Sequence, residues 1–255
     1  MAVVTTPMLE IRDLTLRFGG MTAINNVGFT VNAGELFAII GPNGAGKTSI
    51  FNCLSGVYRP QVGEIRFQGE DLRGKRPDQV AQLGIARMFQ NIELFDNLTV
   101  LDNLMLGRHQ HLQYGTLAGM FYAGKARRVE IENRRAVEDI IDFLEIEAIR
   151  RSLVGMLPYG LKKRVELGRA LAMAPRLLLL DEPVAGMSDE ETERTAELFL
   201  TLAGEHSLVV VEHDMAFVKT LGGKVTVLHE GSVLAEGALD VVQNDDCVIE
   251  VYLGR

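Results

Sequence analysis

The run Gly41-Pro42-Asn43-Gly44-Ala45-Gly46-Lys47-Thr48 has the residue types and spacing of a phosphate cradle, G-x-x-x-x-G-K-[ST]. Backbone N–H groups in such a glycine-rich turn point inward and form a concave anion site. A helix starting at its end adds the positive pole of its dipole. Lys47 would reach the outer phosphates, and the Thr48 hydroxyl suits a magnesium shell. Downstream, Leu177-Leu178-Leu179-Leu180 runs into Asp181-Glu182-Pro183. Four consecutive leucines predict a strand buried on both faces, with two carboxylates at its exit. Ligands of open α/β sheets bind at that edge. Asp181 is suited to hold magnesium, directly or through water, and Glu182 to orient or deprotonate an attacking water. Val209-Val210-Val211-Glu212-His213-Asp214 repeats the design, and His213 there could hydrogen-bond a terminal phosphate and sense its loss.

These groups need elements to hold them. Leu36-Phe37-Ala38-Ile39-Ile40 predicts the buried strand that feeds the cradle, and a helix follows from Gly46 to Leu54. Before it, Leu9, Ile11, Leu14 and Leu16, then Ile24, Val27, Phe29 and Val31, alternate as antiparallel strands do. Ile65–Phe67 reads as a further strand, and Pro77 opens a helix through Gln82. From Asn91 to Leu157 helical periodicity takes over. Thr99 and Asp102 form a cap, Leu98, Leu101, Leu104 and Met105 one stripe, and Val129, Ala136, Val137, Ile140 and Leu144 another. The stretch Gly115 to Gly124 interrupts the pattern and is expected to be a turn or short helix. After Arg176 the α/β pattern resumes, with Ser188 and Glu191 capping a helix and strands at Leu208–Val211 and Val225–Leu228. The fold class is therefore α/β with a mostly parallel sheet, an antiparallel β subdomain at the N-terminus and an α-helical insertion. Residues 1–90 and 158–255 are expected to form the core, and 91–157 the helical subdomain.

Composition narrows the classes. A net charge of −8 provides no global attraction to nucleic acid or anionic lipid. No apolar stretch approaches the ~20 residues that span a bilayer, and Met1 to Pro7 lacks the features of a secretion signal. Cys53 and Cys247 stand far apart with no C-x-x-C, which reads as two packing thiols in a reduced compartment. His109 and His111, two residues apart, point to different helix faces and read as surface residues.

With these residues in hand, the chain resembles the ATP-binding subunits of ABC transporters over essentially its full length. The shared order is Phe18-Gly19-Gly20, the phosphate loop of a P-loop NTPase core, Gln90 in Met88-Phe89-Gln90-Asn91, a signature at Leu157 to Arg164, Asp181-Glu182 and His213. The resemblance implies ATP and Mg2+ as cofactors and Mg-dependent ATP hydrolysis coupled to transport. It implies that Phe18 stacks on adenine, the alternative being a strand residue facing the core. It also implies that Gln90 contacts magnesium or the attacking water and links nucleotide state to the helical insertion. The signature residues Leu157, Pro158, Tyr159, Gly160 and Leu161 would act in trans, on the γ-phosphate held by a partner's loop. They depart from the family's usual Leu-Ser-Gly-Gly-Gln: Pro158 offers neither hydroxyl nor N–H, and Tyr159 replaces a glycine. Where the family usually has Ser-Ala-Leu-Asp, this chain has Ala185-Gly186-Met187-Ser188. Both departures bear on the activity of the composite site that this chain's signature would complete.

The same departures are similar to the ATPases of branched-chain amino acid importers. The long insertion and the ending Val248-Ile249-Glu250-Val251-Tyr252-Leu253-Gly254 resemble the larger ATPase subunit of that system. The implied partners are a second ATPase subunit, identical or different, membrane-spanning permease subunits and, indirectly, a substrate-binding protein. No nucleic acid is expected, and the expected location is peripheral, on the cytoplasmic face of the inner membrane. Apolar residues Ile92, Leu94, Phe95 and Leu98 would meet the permease, the alternative being packing inside the insertion. Two other readings stay open: the ATPase of another ABC system such as lipopolysaccharide export, and a soluble ABC-type ATPase acting on ribosomes or DNA.

Overall fold

The computed structural model describes residues 7–111 and 125–253. The segment expected to be a turn or short helix, Gly115 to Gly124, lies outside the described residues. The chain divides into two compact units, one of residues 1–87 and 176–255, the other of residues 88–175.

In the first unit, an antiparallel sheet of order β2-β1-β4-β5 is built from β1 (Leu9–Phe18), β2 (Met21–Val31), β4 (Val62–Phe67) and β5 (Glu70–Asp71). Leu9, Ile11, Leu14 and Leu16 are all buried although Ile11 and Leu14 break strict alternation. The pairing register shifts between them, and Asp13 adopts φ +50°, so a bulge restores the apolar face.

A second sheet has the order β10-β9-β3-β8-β7-β6. Its strands are β3 (Leu36–Ile40), β6 (Ile85–Met88), β7 (Leu177–Asp181), β8 (Ser207–Val211), β9 (Lys224–His229) and β10 (Ser232–Ala238). The pairs β3–β8, β3–β9 and β7–β8 are parallel, and β10 runs antiparallel to β9. Every residue of β3, β7 and β8 is buried, as a strand covered on both faces requires. Val211 pairs with both Ile39 and Asp181, so the carboxyl ends of β3, β7 and β8 finish level. Helices α1 (Lys47–Leu54), α2 (Pro77–Gln82), α6 (Asp189–Leu202), α7 (Met215–Leu221), α8 (Leu239–Val242) and α9 (Asp246–Leu253) complete this unit. Ser188 and Glu191 form the expected reciprocal cap of α6.

The second unit is helical among the described residues: α3 (Val100–Gly107), α4 (Lys125–Phe143) and α5 (Tyr159–Ala172), with short 3-10 turns. Thr99 caps α3 by accepting from the Asp102 N–H. The division falls at 87/88 and 175/176, where the sequence suggested 90/91 and 157/158. Helix α5 groups with the insertion because glycine permits close packing there. A Cβ on Gly168 would come within 2.9 Å of Leu144 Cδ1, and one on Gly107 within 2.5 Å of the Arg169 carbonyl oxygen. Buried Asn103 is satisfied by Phe95 and Thr99 backbone groups. The imidazole of His111 lies 3.0 Å from the Met173 carbonyl oxygen.

Candidate functional site

The phosphate loop leaves β3 at Gly41 and enters α1 at Lys47. Gly41 and Gly46 have φ +149° and +101°, and a Cβ on Gly46 would sit 2.6 Å from the Ala23 carbonyl oxygen. Only glycine fits both the conformation and the space. Gly46 is the N-cap of α1, without a side-chain cap bond, so N–H groups of the first turn face the loop's concavity. Asn43, Gly44 and Thr48 are exposed, Pro42 and Gly46 partly buried, Gly41 and Ala45 buried. Ala45 ties the loop down through its carbonyl, which accepts from the Gly231 N–H at 3.1 Å.

Lys47 is buried, and its ammonium donates to the carbonyls of Gly41 at 2.6 Å and Pro42 at 3.0 Å. Burial pulls its pKa below the ordinary lysine value, opposed by the charges of Glu182, Asp181 and Glu212. Among the described residues no group of three His, Cys, Asp or Glu side chains is arranged to hold a metal by itself. Magnesium needs none, being held by one or two carboxylates together with substrate phosphates. Thr48 and Asp181 fit such a role.

Asp181 ends β7, its side chain 2% exposed, and pairs with Arg87 of β6 at 2.8 Å. The same guanidinium donates to Asn52 Oδ1 at 2.7 Å and Ser55 Oγ at 3.1 Å, both on or beside α1, and lies over the Phe51 ring. One buried cation thus joins the acidic strand to the helix of the phosphate loop. Glu182 follows in the left-handed region, φ +46°, its N–H bonded to the Val211 carbonyl at 2.9 Å. A non-glycine residue held there is strained, a feature that clusters at functional sites. His213 Nδ1 lies 3.7 Å from Glu182 Oε1 and 3.8 Å from Glu212 Oε2, its side chain 58% exposed. Burial pushes the Glu212 carboxyl above its ordinary value, partly offset by hydrogen bonds from backbone N–H groups of His213, Val184 and Asp214. Phe18, at the end of β1, is 44% exposed rather than core-facing and meets Tyr58 edge-on, 5.1 Å between centroids. A partly exposed ring is suited to stacking on another flat ring.

The first unit therefore brings together the loop, Asp181, Glu182 and His213. Gln90 and the signature lie in the second unit. There Gln90 is exposed, and its carbonyl accepts from Lys163 Nζ at 2.9 Å. Lys163, fully buried on α5, also donates to the Phe89 carbonyl at 3.2 Å and faces Glu166 at 3.7 Å. Pro158 is the N-cap of α5 and makes no side-chain cap bond; Tyr159 is exposed, and Leu157, Gly160 and Leu161 are partly buried. Ile92, Leu94 and Leu98 are partly buried and Phe95 is exposed. Arg87, Glu212, Lys163 and Glu166 were not singled out from sequence. A charged residue inside or beside an apolar run (Ala86-Arg87-Met88, Val211-Glu212) was the signal present for two of them.

A glycine-rich loop between a central parallel strand and a helix, facing strand-end carboxylates, defines a phosphate-loop nucleotide hydrolase. Similarity to known proteins narrows this. Residues 24–185 match the family model described as ABC transporter. The chain is 38% identical over 251 residues to the high-affinity branched-chain amino acid transport ATP-binding protein BraF of Pseudomonas aeruginosa, covering 98% of each. It is 36% identical over 255 residues to LivG of Escherichia coli, a protein of the same description, again covering 98% of each. A solved nucleotide-free ATP-binding cassette superposes with TM-score 0.85 at 29% identity, and one in its ADP conformation with 0.85 at 30%; each covers 98% of this chain and 100% of the other. The chain belongs to the ABC transporter family and is one of its ATP-hydrolysing subunits. Among the described residues no helix is long and apolar enough to cross a membrane.

Proposed function

We propose that this chain is an ATPase subunit of an importer for branched-chain amino acids, working with Mg2+ on the cytoplasmic face of the inner membrane. The observation that carries this reading is its end-to-end similarity to BraF and LivG, whose names state that transport. Two ATPase subunits would enclose ATP, each nucleotide held by one phosphate loop and the opposing signature, Leu157 to Leu161. Phe18 stacks on the adenine, and the loop from Gly41 to Thr48 with Lys47 grips the phosphates. Thr48 and Asp181 would hold magnesium, which when bound neutralises charge on the transferring phosphoryl group. Glu182 orients the attacking water, and His213 hydrogen-bonds the γ-phosphate. Closure moves the helical insertion, whose Ile92, Leu94, Phe95 and Leu98 meet membrane-spanning partners, and hydrolysis resets the pair.

The test is recovery of the chain with its partners from membranes, followed by ATPase assay with the cognate binding protein. Loading that protein with leucine or valine is expected to stimulate hydrolysis severalfold. Copurification with ribosomes, or hydrolysis indifferent to loading, would reject the importer reading.

A further inference from the structure

We propose that Glu212 is a positioning residue for hydrolysis: its carboxylate clasps one catalytic loop with each oxygen and so holds His213 beside Glu182. This rests on the reading of His213 as a γ-phosphate contact and adds the group that orients it. Glu212 is 1% exposed. Its Oε1 accepts from the Val184 N–H at 3.4 Å, in the loop that follows Asp181 and Glu182. Its Oε2 accepts from the N–H groups of His213 at 3.0 Å and Asp214 at 3.5 Å, in the loop that follows β8.

Both loops are fixed at their far ends. Ser188 caps α6, and Asp214 caps α7 by accepting from Ala216 and Phe217. The Glu212 main chain is anchored too, its N–H donating to the Ile39 carbonyl at 3.2 Å, on the strand that leads into the phosphate loop. Glu212 therefore ties the Glu182 loop to the His213 loop through its side chain, and both to the strand behind Lys47 through its main chain. His213 needs such a hold, because an imidazole 58% exposed has little packing to choose its direction.

A carboxylate suits the task where an amide does not. Ionised Glu accepts at both oxygens, whereas Gln accepts at one and donates at the other. In Glu212→Gln one loop keeps its acceptor while the other has an N–H facing an NH2 group. The side-chain volume is nearly unchanged, so the defect is one of loop position.

A double-mutant cycle on the complex recovered from membranes tests this, using wild type, Glu212→Gln, His213→Ala and the double variant. ATP turnover, ATP affinity and the thermal midpoint are measured for each. The clasp predicts that Glu212→Gln lowers kcat at least tenfold with ATP affinity within twofold of wild type. It also predicts a double variant no slower than His213→Ala alone. A buried carboxylate that merely fills hydrogen bonds would instead give losses that multiply, or a lowered midpoint with unchanged kcat, and either result overturns the proposal. If His213→Ala itself keeps full turnover, the reading of His213 fails, a result distinct from failure of the clasp alone. Should the amide variant not fold, Glu212→Asp keeps both oxygens and withdraws them by one methylene. In the same cycle it is expected to slow turnover without adding to His213→Ala, and losses that multiply would again overturn the clasp.

Discussion

Lys47 places a charge where water scarcely reaches, among three carboxylates that favour its protonated form. The carboxylates by themselves repel an anion, so the proposed grip on phosphate must come from the lysine and the N–H groups of the glycine loop, and Lys47→Ala is expected to weaken ATP binding at least ~10-fold, about 1.4 kcal/mol, by calorimetric titration. Unchanged affinity would remove the loop from nucleotide binding. The two cysteines offer an independent check on how α1 packs. Cys53 is buried, its pKa pushed up to about 12, and Cys247 is exposed. A thiol reagent at pH 8 is expected to modify one cysteine in the native chain and both in denaturant. Reaction of both in the native state would contradict the packing of α1. At this scale the proposed roles of the loop, Asp181, Glu182 and His213 can be read from sequence because each is a local pattern on a strand end. Arg87 and Glu212 were not, since their meaning comes from distant partners: Arg87 lies 94 residues before Asp181.

Among elements, the guanidinium of Arg87 joins β6, β7 and α1 with both sides of its ion pair buried. Removing it takes the cationic partner from a buried Asp181 carboxylate, and Arg87→Met is expected to lose about 3–5 kcal/mol in denaturant unfolding. A loss below about 1 kcal/mol would mean that the carboxylate is satisfied without the guanidinium. Sequence periodicity found β3, β7, β8 and both capped helices, where apolar runs and cap residues agree. It passed over the β1 bulge, because a left-handed Asp13 leaves no pattern, and the strand β6, whose Arg87 interrupts the apolar run. The boundary after the signature was also hidden, as α5 sides with the helical unit through glycine contacts that spacing does not reveal.

For the whole molecule, carboxyls shifted from their ordinary values contribute to the response to pH. Burial raises the carboxyls of Glu166 and Glu212 above their ordinary 4.5. The folded chain then binds more protons than the unfolded one above 4.5, so stability falls as pH rises through that window. Asp71 is held near 2 by hydrogen bonds from Arg73, so its contribution is present above 3.8 and lost as pH falls toward 2. In urea titrations across pH, Glu166→Gln is expected to reduce the first dependence and Asp71→Asn the second; unaltered profiles would refute the assignments. The family and its chemistry come from the full-length match and the cassette fold, and the cargo reading from the relatives alone. The proposal that unites them places hydrolysis at the edge where the phosphate loop meets Asp181 and Glu182. Glu182→Gln, in the complex isolated from membranes, tests that edge directly by ATP binding and phosphate release measured side by side. Binding within about twofold of wild type is expected, with phosphate release slowed at least ~100-fold. Release at near the wild-type rate would contradict the catalytic role of Glu182 and, with it, the placement of hydrolysis at this edge.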